Sequence, residues 1–331
     1  MNLEKPRVFI TRHVLPAGLA LILADCQADI WEGELPLPRE DLLQRIKGVA
    51  GLLSMLSDHI DGEVMDAAGP GLKVISTYAV GVDNIDLVET TRRGIPVGHT
   101  PDVLTDATAD FAFALLMAAA RRVVEADRYV HAGHWQTWGP STLLGAEVHG
   151  ATLGIVGFGR IGQAVARRAS GFAMRVLYHD HQADSRTIPA DLHAEPVDLD
   201  TLLGESDFVS LHVPLTEQTR RLFDAHIFAK MKSGAILINT ARGAVVDQLA
   251  LYEALFSGKL AAAGIDVCDP EPLPMDSPLL TLKNLVIAPH IASAGKKTRE
   301  RMSVMAAENL LAGLRGEKLP HCANPQVYQR G

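Results

Sequence analysis

Cysteine is scarce in this chain of 331 residues, which has only Cys26, Cys268 and Cys322. The three are odd in number and widely spaced, and none belongs to a Cys-x-x-Cys pair, so free thiols are expected rather than a disulfide framework. Long hydrophobic runs are also missing. The most apolar stretch, residues 111–120, stops at Arg121-Arg122 and is too short to span a bilayer. Residues 1–6 hold no basic segment followed by a long apolar stretch, the mark of a secretory leader, so a cytoplasmic enzyme is expected. Positive charge is not in excess. A formal net charge of −8 gives no reason to expect nucleic acid or an anionic membrane as partner, and an anionic substrate would need local cations. His131 and His134 lie three apart, but the segment supplies no further ligands, so no metal site is expected. Repeats and low-complexity segments are absent.

What the chain does contain is apolar material in short pieces. Its hydrophobic content of 47% over this length is enough for two substantial cores, hence two domains. Short apolar runs alternate with helical patterns almost throughout, which predicts a doubly wound α/β architecture with mainly parallel sheets. Strands are predicted over 7–11, 28–31, 49–53 and 74–77, with helices over 38–46 and 63–68. A long apolar helix over 106–121 and an irregular segment, 131–148, follow. A second series of strands covers 152–156, 175–178, 208–211, 235–239, 262–266 and 285–287, six in all, which fills one dinucleotide fold. The helix predicted over 297–314 arrives after that sheet is complete, with Met302, Met305, Ala306, Leu310 and Leu314 on one stripe. It is expected to return to the first domain. The predicted division is residues 1–101 with 295–331, and residues 102–294.

The second series opens on Gly157-Phe158-Gly159-Arg160-Ile161-Gly162, placed between an apolar strand and a helical pattern, Ile161, Val165, Ala166 and Ala169. In that setting the first glycine makes the tight bend, the second lets backbone approach a pyrophosphate, and the third lets the helix pack on the strand. The helix start then offers N–H groups to phosphates. Asp180 ends the next apolar run, where a carboxylate accepts hydrogen bonds from ribose hydroxyls and repels a 2′-phosphate. NAD is therefore favoured over NADP. No arginine follows until Arg186, although a protonated His181 would tolerate a phosphate, which leaves NADPH open.

Three candidates for chemistry follow the ends of late strands, where open parallel sheets place their ligands. Arg242, in Asn239-Thr240-Ala241-Arg242-Gly243, offers a planar fork that matches a carboxylate and polarises a carbonyl. His290, after Ala288-Pro289, is the natural general acid. Either Glu271 or Asp269 could hydrogen-bond that imidazole from Asp266-Val267-Cys268-Asp269-Pro270-Glu271-Pro272. Together these groups imply reduction of a 2-keto acid by a nicotinamide cofactor.

With these motifs, Tyr78-Ala79-Val80-Gly81-Val82-Asp83-Asn84-Ile85-Asp86, Leu104-Thr105-Asp106-Ala107-Thr108-Ala109-Asp110 and Pro289-His290-Ile291-Ala292-Ser293 make the chain resemble the D-2-hydroxyacid dehydrogenases over nearly its whole length. The likeness is to their glyoxylate and hydroxypyruvate reductases. The resemblance implies a Rossmann coenzyme-binding domain and a flavodoxin-like substrate-binding (catalytic) domain with a cleft between them. It assigns catalysis to Arg242, Glu271 and His290, which favours Glu271 over Asp269. Val80 and Gly81 would present N–H groups to the substrate carboxylate beside Leu53 and Ser54. Thr108, His212, Val213, Pro214, Thr219, Thr240, Ala241, Asp266 and His290 would join the glycine loop around the cofactor, with Asp266 facing the nicotinamide amide. Residues 125–149 would form a dimerisation arm that brings Trp138 to the partner's cleft in a homodimer. The expected activity is reduction of glyoxylate or hydroxypyruvate to glycolate or D-glycerate. D-lactate or 2-ketogluconate chemistry on the same residues, or a non-catalytic NADH-sensing scaffold of the corepressor kind, stays open at this point.

Overall fold

The computed structural model describes residues 4–181, 188–189 and 192–329, so Arg186 lies outside the described residues. The chain divides into two compact units, Met1–Leu104 with Gly295–Gly331, and Thr105–Ala294. The first crossing falls after Leu104 rather than at residue 101, because Val103 and Leu104 pack on the apolar core of the first unit.

The first unit begins β1 (Arg7–Ile10), α1 (Pro16–Asp25), β2 (Gln27–Ile30), α2 (Arg39–Arg45), β3 (Gly51–Ser54), α3 (Gly62–Ala68), β4 (Val74–Thr77), α4 (Leu87–Arg92) and β5 (Val97–Gly98). All five strands are parallel, in the order β2-β1-β3-β4-β5. This doubly wound order places its switch point between β1 and β3. Every residue of β3 and β4 is buried, as expected of central parallel strands covered on both faces. Asp61 and Asp86 start α3 and α4 by accepting the Val64 and Glu89 N–H groups at 3.2 and 2.8 Å. The edge strand β5 was not anticipated, since two residues carry no readable period.

The second unit comprises α5 (Thr105–Ala120), α6 (Val123–His131), β6 (Thr152–Val156), α7 (Arg160–Ser170), β7 (Arg175–His179), β8 (Ala194–Pro196), α8 (Leu199–Glu205), β9 (Phe208–Leu211), α9 (Ala225–Lys230), β10 (Ala235–Asn239), α10 (Gln248–Phe256), β11 (Leu260–Ile265) and β12 (Leu285–Ile287). Its sheet is parallel, in the order β12-β11-β10-β9-β6-β7-β8. Seven strands replace the six expected. The extra one, β8, is a three-residue edge without an apolar run, and its Glu195 and Pro196 are exposed. Alternate residues of the strands feed two cores: Leu153, Ile155, Phe208 and Ile238 pack with α5 and α7, while Leu177, Val209, Leu211 and Leu237 pack with α8, α9 and α10.

The chain then returns to the first unit as α11 (Lys296–Leu314), which packs along α1, β3 and β4. Met302, Ala306 and Leu310 are buried there with Val8, Ile10 and Val74. Among the described residues no helix is long and apolar enough to cross a membrane.

Candidate active site

In the second unit, β6 and α7 are joined by the glycine loop. Gly157 has φ of 89°, a left-handed conformation that favours glycine, and a β-carbon there would come within 2.7 Å of the His212 backbone. Gly162 is required for a different reason, since its β-carbon would lie 2.3 Å from the Gly157 carbonyl oxygen. Gly159 occupies the N-cap of α7 with no side-chain cap and no acid in the first turn. The first-turn N–H groups of a helix have no intrahelical acceptor, so this end suits an anion. Asp180, directly after β7, accepts the Phe158 N–H at 2.8 Å and is thereby held against the loop. Phe158 itself is buried and stacks on Tyr178, with ring centroids 4.1 Å apart.

The switch point of this sheet lies between β6 and β9, and β9 continues into His212 and Val213. The His212 ring bonds Ser210 Oγ at 2.8 Å, and burial pushes its pKa down to about 3, so it is neutral at ordinary pH. Thr219 closes the following turn by donating to the Pro214 carbonyl at 2.6 Å. Thr108 is buried within α5.

Arg242, Glu271 and His290 follow β10, β11 and β12, three adjacent parallel strands, so their loops leave the same end of the sheet side by side. Asn239 shapes the first loop, accepting the Ala241 N–H and donating to the Arg242 carbonyl, both at 3.0 Å. Thr240 Oγ1 is buried with no partner among the described residues, which fits a polar ligand. Glu271 bridges the other two loops: Oε2 lies 2.8 Å from His290 Nδ1, and Oε1 accepts the Cys268 N–H at 3.0 Å. Both side chains of this pair remain partly open to solvent. Asp269 has no such bond to the imidazole; its carbonyl instead accepts from Gln248.

His290 has a left-handed backbone, φ 55°, unusual for a residue with a side chain. Asp266 holds it there. Its backbone joins β11 to the His290 N–H at 2.8 Å, and its two carboxylate oxygens accept the Ile291 and Ala292 N–H groups at 2.7 Å each. Burial raises the Asp266 pKa, against the lowering effect of those bonds and of His290. Sequence reasoning placed Asp266 against the cofactor and missed this loop-clamping role, which only the turn after β12 reveals.

In the first unit, Ser54 ends β3 and Val80 and Gly81 follow β4, its neighbour. The Ser54 side chain is wholly buried, and its hydroxyl has no partner among the described residues. Among the described residues neither Val80 nor Gly81 has an acceptor for its N–H, so the loop carries two consecutive donors that no intrachain group occupies. Leu53, the residue before Ser54 in β3, is a core residue. It is 0% exposed and packs with Val8 and Ile10, because β3 is covered on both faces. Trp138 lies far out on the segment after α6, 80% exposed, and Trp135 is 63% exposed.

A cavity of about 410 Å³ in the second unit lies away from all of these groups, where Ile236, Ala262 and Leu285 begin their strands. Open parallel sheets bind ligands at the opposite, carboxyl ends.

The two sheet orders and the glycine loop define a two-unit α/β protein with a Rossmann-type fold. Within that class, residues 113–292 match the family model "D-isomer specific 2-hydroxyacid dehydrogenase, NAD binding domain", and the chain belongs to that family. It is 55% identical to a glyoxylate reductase of Korarchaeum cryptofilum, across 98% of each chain. It is 49% identical to the human glyoxylate reductase/hydroxypyruvate reductase, covering 95% of this chain and 96% of that one. The crystal structure of the TT0316 protein of Thermus thermophilus superposes with a TM-score of 0.90 at 51% identity, covering 96% and 99% of the two chains.

Proposed function

We propose that this protein reduces glyoxylate and hydroxypyruvate to glycolate and D-glycerate, with NADH as the preferred donor. The observation that carries the reading is the Glu271–His290 pair, 2.8 Å apart and set beside Arg242 at the carboxyl ends of three adjacent strands. Glu271 accepts a hydrogen bond from Nδ1–H of the imidazolium, which leaves Nε2–H to give its proton to the oxygen of the substrate carbonyl as it becomes an alkoxide, and the ring ends as neutral imidazole. Arg242 binds the carboxylate and polarises that carbonyl. Val80 and Gly81, in the first unit, would offer their N–H groups to a substrate carboxylate. The glycine loop, Asp180, Thr240 and Ala241 would hold a nicotinamide cofactor, which would supply the hydride when bound.

NADH is favoured because Asp180 stands at the loop where a ribose would lie and a 2′-phosphate would meet its charge. The partner is a second copy of the chain. Every residue from 131 to 138 is exposed, two tryptophans among them, and large amphipathic rings suit an interface. Sedimentation as a monomer at micromolar concentration refutes the homodimer. We place the enzyme in the cytoplasm.

The test is NADH and NADPH oxidation with a panel of glyoxylate, hydroxypyruvate, pyruvate and 2-ketogluconate. Turnover of the first two with NADH supports the proposal. Faster turnover of pyruvate or 2-ketogluconate reassigns the substrate, and tight NADH binding with no turnover of any acid points to a sensing scaffold instead.

A further inference from the structure

His99 follows β5, and its ring Nδ1 lies 3.0 Å from the carbonyl oxygen of Val80. A carbonyl only accepts, so Nδ1 carries the proton. The neighbouring Thr100 N–H donates to the Ala79 carbonyl at 2.8 Å. Two successive carbonyls of the loop after β4 are therefore held by residues 99 and 100. In a planar trans peptide the N–H points opposite to the C=O. Fixing the Ala79 and Val80 carbonyls toward His99 and Thr100 turns the Val80 and Gly81 N–H groups the other way, and these are the two donors without an acceptor among the described residues.

His99 is itself anchored. Asn309 of α11, wholly buried, donates to the His99 carbonyl at 2.9 Å and accepts the His321 N–H at 2.9 Å. The His99 N–H donates to the His321 carbonyl at 3.1 Å. Gly98 makes this approach possible, because a β-carbon there would lie 2.5 Å from Asn309 Cβ. On the loop's other flank, the Asn84 amide donates to the Met55 and Asp58 carbonyls at 3.1 and 2.7 Å. The loop is braced from both sides.

We propose that His99 is a positioning residue for the substrate: through the Val80 carbonyl it aims the Gly81 N–H at the carboxylate of the 2-keto acid. This rests on the reading of the chain as a 2-keto-acid reductase. His99 makes no contact with substrate in this account, and α11 takes part through Asn309.

The experiment compares H99N, which keeps a donor near the Nδ1 position, with H99L, which has similar size and no donor. Steady-state kinetics with glyoxylate, NADH dissociation constants and thermal unfolding are measured for both and for the wild type. H99L is expected to raise the glyoxylate KM roughly tenfold or more, the scale of one charge-assisted hydrogen bond left unaimed, with kcat within about threefold and NADH affinity unchanged. H99N is expected to keep KM within about threefold of wild type. A wild-type KM in H99L, or equal losses in H99L and H99N, overturns the proposal. Should H99L fail to fold, H99A at a temperature where it is folded serves the same comparison. Absence of wild-type turnover with any 2-keto acid is a different result, which removes the underlying reading.

Discussion

Replacement of Asp180 separates two jobs that one carboxylate performs. Its Oδ2 accepts the Phe158 N–H at 2.8 Å, which holds the glycine loop, and under the proposed preference for NADH its charge would repel a 2′-phosphate. Asp180→Ala removes both; Asp180→Asn keeps an acceptor of the same shape and removes only the charge. A hydrogen bond to a charged acceptor contributes about 1.5–3 kcal/mol, so Asp180→Ala should weaken NADH binding by roughly 10–100-fold. The charge effect is bounded by Coulomb's law. Like charges about 4 Å apart repel by about 1 kcal/mol in bulk water and about 4 kcal/mol near a protein surface, and Asp180 is half-buried. Its removal should therefore narrow the preference for NADH over NADPH by roughly fivefold to nearly a thousandfold in both variants. The assay is kcat/KM for each cofactor at saturating glyoxylate, with thermal unfolding of the free protein alongside. A loss of stability in Asp180→Ala that Asp180→Asn does not share identifies the loop anchor. An unchanged cofactor ratio in Asp180→Asn would remove Asp180 from the ribose site.

Three further outcomes are expected. Glu271→Gln should lower kcat for glyoxylate by roughly 10–100-fold, since a neutral amide replaces the charged partner of His290, while NADH titration stays as in wild type; wild-type kcat contradicts the pairing. Gly162→Ala puts a methyl 2.3 Å from the Gly157 carbonyl oxygen, and calorimetry should show about 1–3 kcal/mol of lost stability with weaker NADH binding; an unchanged unfolding midpoint contradicts the close contact. The His212 pKa is depressed in the folded protein from 6.5 to about 3, so the unfolded chain binds one more proton between those values. That contribution to stability is complete above about pH 6.5 and is lost as pH falls, by about 1.4 kcal/mol per pH unit, and chemical denaturation of His212→Gln should show a correspondingly shallower acid slope than wild type.

Both parallel sheets were legible because their central strands are buried on two faces and read as short, uninterrupted apolar runs, such as Leu153 to Val156 and Ala235 to Ile238. The edges were not. β5 and β8 are too short to show a period, and Glu195 and Pro196 lack apolar character altogether. At the site, Arg242 and His290 could be singled out from their places after strands, whereas Glu271 and Asp269 stayed alternatives until the family resemblance favoured Glu271. The bond to the His290 imidazole was expected from one of these two, and the structure has it from Glu271 at 2.8 Å, across two loops 19 residues apart. Asp266 and His99 act through backbone groups of other loops, and nothing in their local sequence points to those partners. Asn309 lies 210 residues from the carbonyl it holds, a separation that only the return of α11 closes.

We propose His290 as the proton donor in the reduction of a 2-keto acid. The most direct measurement is glyoxylate-dependent NADH oxidation by wild-type protein and His290→Ala side by side, with NADH binding titrated in both. Saturable turnover is expected in the wild type, with a loss of at least about 100-fold in kcat in the variant and equal NADH affinity. Turnover in His290→Ala equal to wild type, or none in either protein with NADH bound, would contradict it.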